Sequence, residues 1–196
     1  MSKTGGAGGS MWADVKELTA AAEKGNPKAQ AQLGEMLLRG DPTYKVPQDR
    51  TRALTLLESA ARKGEGSAAF RVGMLLDDGV GLAQDRARAL AYFKAAAAGG
   101  VTEAFHNIGA AYASARGVKR DYAEGLAWLM LSKKRGSESP AETAVRAQIQ
   151  KLKKPELIAA AEKRALEIER ELTHSKAVDL LPPAAPFAAA TARTVK

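Results

Sequence analysis

A pattern that returns every 36 residues narrows the fold of this chain more than any other feature. Asp49, Asp85 and Asp121 stand 36 and 36 residues apart. The pairs Leu33-Gly34, Val72-Gly73 and Ile108-Gly109 keep matching places at offsets of 39 and 36. The three additional residues of the first block fall in the loop around Asp41, Pro42 and Thr43. The blocks run from Gly25 to Gly64, Gly64 to Gly100 and Gly100 to Gly136. A fixed period of this size marks a repeat array, in which one unit cannot bury its apolar face alone and neighbours stack into a continuous core.

Each block reads as two helices. In the middle block, helix A spans residues 67–77 and helix B residues 86–98. Asp85 stands where an N-cap belongs, offering a side-chain oxygen to the free N–H groups of the first turn, and Asp49 and Asp121 match it. Gly64, Gly100 and Gly136 follow the last turns of the B helices, where the chain turns with positive φ. Gly34, Gly73 and Gly109 lie inside A helices, where glycine costs about 1 kcal/mol relative to alanine. Three such costs in register predict close helix approach, with Ala53, Ala89 and Gly125 as the facing small residues.

The order A-x-x-x-L-G in helix A, then G-V-x-x-D in the loop, then A-L-x-Y/W and a small-residue run ending in glycine resembles the Sel-1-like repeat, a relative of the tetratricopeptide repeat. The carriers include Ala29, Leu33, Gly34 and Asp49, then Ala68, Gly73, Asp85 and Tyr92, then Ala104, Gly109, Asp121 and Trp128. The resemblance implies an all-α, right-handed α-solenoid of helix-turn-helix units, and a non-enzymatic protein-interaction role as adaptor or scaffold. The first A–B loop departs from the pattern by its insertion, and Gly125 stands where the other copies have alanine.

The ends are read from the same register. Residues 1–9 are glycine-rich and expected to be a disordered leader; they lack the apolar core of a secretory signal, so with Met1 as the native start the expected compartment is the cytoplasm. Ser10 lies as far before Gly25 as Asp49 does before Gly64, which predicts a half-repeat over residues 10–25 whose lone B-type helix, from Met11 to Lys24, is capped by Ser10. Ser139-Pro140-Ala141-Glu142 is a capping box with proline at the first helical position, opening a helix that takes the place of a fourth helix A. From Pro155 a second helix, to about Leu172, carries Leu157, Ile158, Ala161, Ile168 and Leu172 and is expected to cap the third repeat, so that residues 137–172 form a capping pair. Pro182, Pro183 and Pro186 mark residues 173–196 as a disordered tail, within which Val178-Asp179-Leu180-Leu181 and Phe187 form a possible docking motif.

The chain holds no cysteine, which excludes disulfides and thiolate metal sites, and no apolar run long enough to cross a bilayer. The net charge of +8 is mostly C-terminal, with basic clusters at Lys133-Lys134-Arg135 and at Lys151, Lys153 and Lys154. No aromatic residues are interleaved with these clusters, so nucleic-acid binding through them is a disfavoured alternative. A hydrolase of the β-lactamase-like type attached to cysteine-rich relatives is a further disfavoured alternative, since Ser-x-x-Lys is absent and Lys3-Thr4-Gly5 stands alone. The two histidines, His106 and His174, have no nucleophile or carboxylate at catalytic spacing, and Asp77-Asp78 reads as a solvated pair at a helix end. No active site, metal site or cofactor site is expected.

What remains is the face lined by the A helices. Taking the Leu-Gly pair as register mark, the inward positions include Lys28, Glu35, Leu38, Phe70, Met74, Asp77, Glu103 and His106. Phe70 and Met74 stand one turn apart and form either an apolar patch in a peptide groove, flanked by the charged residues, or part of the core. The expected partner is a protein or peptide, with no membrane.

Overall fold

The repeat boundaries arise from caps and loop closures that recur in each unit. The computed structural model describes residues 12, 14–184, 186 and 187. Among these are nine α-helices and no β-strand: α1 (Val15–Glu23), α2 (Pro27–Arg39), α3 (Arg50–Arg62), α4 (Gly66–Asp78), α5 (Arg86–Ala98), α6 (Thr102–Ser114), α7 (Tyr122–Lys134), α8 (Pro140–Lys151) and α9 (Glu156–His174). Asp49, Asp85 and Asp121 cap α3, α5 and α7, each accepting the N–H three residues on at 2.9, 2.9 and 3.0 Å. The N–H of each of these residues donates back to the end of the preceding A helix, at Leu37, Leu76 and Tyr112. The same residue thus starts one helix and fastens the end of another. Gln48 and Gln84, one position earlier, donate to the carbonyls of Leu38 and Asp77 at 2.8 and 2.7 Å.

The B helices end alike. Gly64, Gly100 and Gly136 have φ of 89°, 86° and 87°, and donate with their successors to the carbonyls of the last turn. The insertion in the first loop folds on itself: Asp41 and Val46 pair across a bridge, and Asp41 Oδ1 accepts from Thr43 and Tyr44 N–H at 3.0 and 3.2 Å. Three extra residues therefore leave the spacing of α2 and α3 intact.

The helix hairpins α2–α3, α4–α5 and α6–α7 stack in order into one α-solenoid core. The A-helix glycines set the approach within each hairpin. A Cβ on Gly34 would meet Leu57 Cγ at 2.8 Å and Ala53 O at 3.3 Å; on Gly73, Phe93 Cδ1 at 2.8 Å and Ala89 O at 3.3 Å; on Gly109, Leu129 Cγ at 2.7 Å and Gly125 O at 2.9 Å. Ala53, Ala89 and Gly125 face them as the sequence predicts, and the large residue one turn later fills the space beyond. Phe105 and Trp128 pack at 5.5 Å between centroids in the third hairpin.

The termini differ from expectation at two points. The first helix starts at Val15 and is capped by Asp14, whose Oδ1 accepts Glu17 N–H at 2.8 Å, so Ser10 does not cap it. The helix needs to reach only far enough to bury Leu18 and Ala22, and a carboxylate one turn before Leu18 suffices. Ser10, the half-repeat's first residues and the expected leader lie outside the described residues. At the other end, α8 and α9 both pack on α7, with Val145, Ile149, Ala161, Ala165 and Ile168 buried. Beyond α9, residues 177–180 form a 3-10 turn against α5, and Ala177, Leu180, Leu181 and Phe187 pack on the core. The expected tail is in that part a docked segment, since its few apolar side chains find partners on α3 and α5.

Candidate functional site

The A helices α2, α4 and α6, followed by α8, present a row of side chains between which two groups of cavities open. Between α2 and α4 a cavity of about 270 Å³ is lined by Lys28, Ala31, Gln32, Glu35, Ser67 and Ala68. Of these, Glu35 pairs with Arg71 of α4, whose Nε lies 2.9 Å from Glu35 Oε1 with its N–H not aligned for a hydrogen bond. Between α6 and α8 a cavity of about 590 Å³ is lined by His106, Ser139, Pro140, Ala141 and Ala144. One of about 560 Å³, lined by Ala110, Ala113, Tyr122, Val145 and Gln148, shares Ala141 and Ala144 with it.

Phe70 and Met74, on α4, come between these cavities in the order of the helices. Both are half-buried and pack against the core. The Phe70 ring packs tilted on Phe93 at 5.7 Å, and Met74 Sδ accepts from Asn107 Nδ2 at 3.5 Å. Each keeps an accessible portion. Lys28 and Glu103 are exposed. His106 is half-buried, and its Nδ1 has no hydrogen-bond partner among the described residues.

Two predicted positions belong elsewhere. Leu38 is buried in the core at 9% exposure. Asp77 is 8% exposed and is not a solvated carboxylate beside Asp78. It forms a hydrogen-bonded ion pair with Arg116 Nη2 and lies 3.6 Å from Arg86 Nε, which ties the end of α4 to the start of α5 and to the A–B loop of the third repeat. Burial of a carboxylate demands such partners. Sequence reasoning missed Ala141 and Ala144, which line the cavities, and Arg71 and Asn107, which contact Glu35 and Met74; only the charge of Arg71, opposite Glu35, was a usable signal.

The basic cluster at Lys133-Lys134-Arg135 is partly neutralised. Lys133 Nζ lies 3.6 Å from Glu142, Lys134 Nζ 2.9 Å from Glu169, and the Arg135 guanidinium 4.1 Å from the Phe105 ring centroid. Arg164 bridges the cap to the array, with Nε 2.7 Å from Glu124 Oε2 and Nη1 2.6 Å from Glu171 Oε1. Glu124 also accepts from Trp128 Nε1 at 2.9 Å. Hydrogen bonds to Glu171 and Glu124 raise the Arg164 pKa further and hold it charged. Among the described residues no group of three His, Asp or Glu stands where it could hold a metal ion, and no helix is long and apolar enough to cross a membrane.

Stacked helix hairpins with side-chain-lined gaps between successive A helices define a helical repeat protein of the α-solenoid class. The Sel1 repeat pattern matches residues 27–65, 66–101 and 103–137, more than half of the chain, and the chain belongs to the Sel1 repeat family. Repeats of this family typically serve protein–protein interaction. A crystal structure of a Sel1 repeat protein from Oxalobacter formigenes has a similar fold, with TM-score 0.58 and 24% identity, covering 70% of this chain and 97% of that one. The chain is also similar to c5321, a protective antigen of uropathogenic Escherichia coli with an SLR fold, at TM-score 0.59 and 33% identity. That match covers 63% of this chain and 26% of the longer antigen. No curated protein matches the chain.

Proposed function

We propose that this chain is a non-enzymatic interaction module, an adaptor or scaffold, that holds an extended or helical peptide along its A-helix face. The observation that carries the reading is the placement of half-buried Phe70 and Met74 between the α2–α4 and α6–α8 cavities. A peptide laid there meets Lys28 and the Glu35–Arg71 pair at one end, an apolar middle, and His106 with an alanine floor at the other. Apolar contacts of this kind supply affinity and the charged ends set direction. Membership of the Sel1 repeat family supports the class of function; the groove itself rests on the geometry.

The test is affinity purification from native cells with mass spectrometry, followed by titration of the purified partner. Phe70→Ala with Met74→Ala is expected to weaken binding at least ~10-fold, since two half-buried apolar anchors each contribute about 1 kcal/mol or more when a partner covers them. The Phe70–Phe93 contact requires a melt of the variant alongside. A variant that stays folded and binds as well as the parent refutes the groove. Reversal of the rim charges, by Lys28→Glu and Glu103→Lys, is expected to slow association more than it speeds dissociation.

A further inference from the structure

The B-helix side of the array carries an occupied groove. After α9 the chain runs back across α5 and α3, against the direction in which the repeats were laid down. Its residues read Ala177-Val178-Asp179-Leu180-Leu181-Pro182-Pro183-Ala184-Ala185-Pro186-Phe187. Leu181 has φ −77° and ψ 143°, the polyproline II region, and the prolines that follow favour the same conformation. The segment is held at three points. Leu180 and Leu181 pack on the core at α5. Arg62 Nη2, in the last turn of α3, donates to the Pro182 carbonyl at 3.1 Å. At the far end the Arg88 guanidinium, from the first turn of α5, lies 5.1 Å from the centroid of the Phe187 ring.

The receiving surface is arranged for this. Arg62 is oriented by Glu58, one turn earlier, at 2.8 Å, and Glu58 also accepts from the buried Tyr92 hydroxyl of α5 at 3.1 Å. Tyr92, Glu58, Arg62 and the Pro182 carbonyl thus form one polar relay from the core to the docked backbone. Thr51, Leu54, Thr55, Glu58 and Arg62 lie on one stripe of α3 beneath the segment. The fit is incomplete: a cavity of about 650 Å³ stays open among these residues, Leu82 and Phe187, and Phe187 itself is half-buried. Pro182, Pro183 and Pro186 have no N–H to donate, so at those positions the segment is gripped through carbonyls and side chains. A tether holds it at an effective concentration in the millimolar range, so weak contacts are enough to dock it and a free segment of matching chemistry competes with it.

We propose that this B-helix face is a receptor groove for a proline-rich segment of the type Leu-Leu-Pro-Pro-x-x-Pro-Phe, occupied in the resting chain by the protein's own residues 177–184, 186 and 187 and opened when a partner segment of that type displaces them. The site does not depend on the A-helix groove. Its determinants are Arg62 for a carbonyl, Arg88 for an aromatic ring and the α3 stripe for the prolines.

The test uses the full chain and a fluorescein-labelled peptide of residues 176–190, followed by anisotropy. Release variants carry Leu180→Ser with Phe187→Ser, or the milder Phe187→Ser alone, which alters only a half-buried ring and keeps the test valid if the double change unfolds the chain. The double variant is expected to bind the peptide at least ~10-fold more tightly than the parent, because the tethered competitor is gone, and the single variant to fall between. Adding Thr55→Arg or Arg62→Ala to either is expected to lose most of the gain. Equal affinity for parent and release variants overturns the proposal, as does absence of binding to a folded release variant, or binding that Thr55→Arg leaves unchanged. A parent chain that sediments as a dimer and turns monomeric on Phe187→Ser shows the segment swapped between two copies and overturns its docking within one chain.

Discussion

Replacing Gly109 by alanine tests whether the A-helix glycines are there for close approach. In an exposed helix the change would stabilise by about 1 kcal/mol. Here the new methyl would stand 2.7 Å from Leu129 Cγ and 2.9 Å from the backbone carbonyl of Gly125. Leu129 is 2% exposed, and the carbonyl belongs to the α7 helix itself. The two helices have to separate by several tenths of an ångström, which loosens the contacts along the hairpin. Overpacking of this kind costs about 1–3 kcal/mol, enough to reverse the helix-propensity gain. Net of the propensity gain the loss reaches about 2 kcal/mol, and for a chain of this size each kcal/mol moves Tm by about 2–4 °C, so a fall of up to about 8 °C is expected in a calorimetric or dichroism melt. Leu129→Ala in the Gly109→Ala background should cost at least ~1 kcal/mol less than Leu129→Ala alone, because it removes one of the two clashes. A Gly109→Ala chain that melts at or above the parent temperature refutes the close-approach reasoning.

Ile168→Ala, at a fully buried site of α9, is expected to cost about 2–5 kcal/mol, whereas Leu166→Ala, 58% exposed on the same helix, should change Tm little; equal shifts would mean that α9 is not docked as described. Truncation after Lys154 removes that helix and is expected to lower Tm and bare an aggregating face on α7, while truncation after His174 removes residues 175–196, keeps α9 and should cost far less. Equal melts for the two truncations would refute the capping role. The Tyr92 pKa is pushed up to about 12, first by burial and then by the charge and hydrogen bond of Glu58, against about 10 in the unfolded chain. The folded state therefore holds the phenolic proton more tightly: this stabilisation is full below pH 10 and is lost as pH rises through 12. Melts from pH 8 to 12 should show an added decline in that window, absent in Tyr92→Phe; parallel curves for parent and variant would refute it.

What the sequence made legible depended on how far each determinant lay from its effect. A cap such as Asp85 acts three residues away, on Arg88 N–H, so its role reads directly from spacing. Gly73 and Ala89 lie sixteen positions apart within one unit, and the repetition of the pair in three units supplied the long-range information that a single copy would have lacked. Where nothing repeats, that help disappears. Ser10 and Asp14 are both good caps, and the repeat register alone favoured the wrong one, because a terminal helix is released from the length that stacking imposes on internal ones. The site shows the same limit. Asp77 reads as a solvated helix end until Arg116, 39 residues on, is brought against it by the third repeat. The proline-rich tail reads as disorder because its composition cannot form a core by itself. Its Pro182 carbonyl nonetheless accepts from Arg62, 120 residues earlier, whose aim is set by a glutamate and a tyrosine from two different helices. Composition measures what a segment does alone; whether it docks is decided by a surface elsewhere, and in a solenoid every unit offers two such faces.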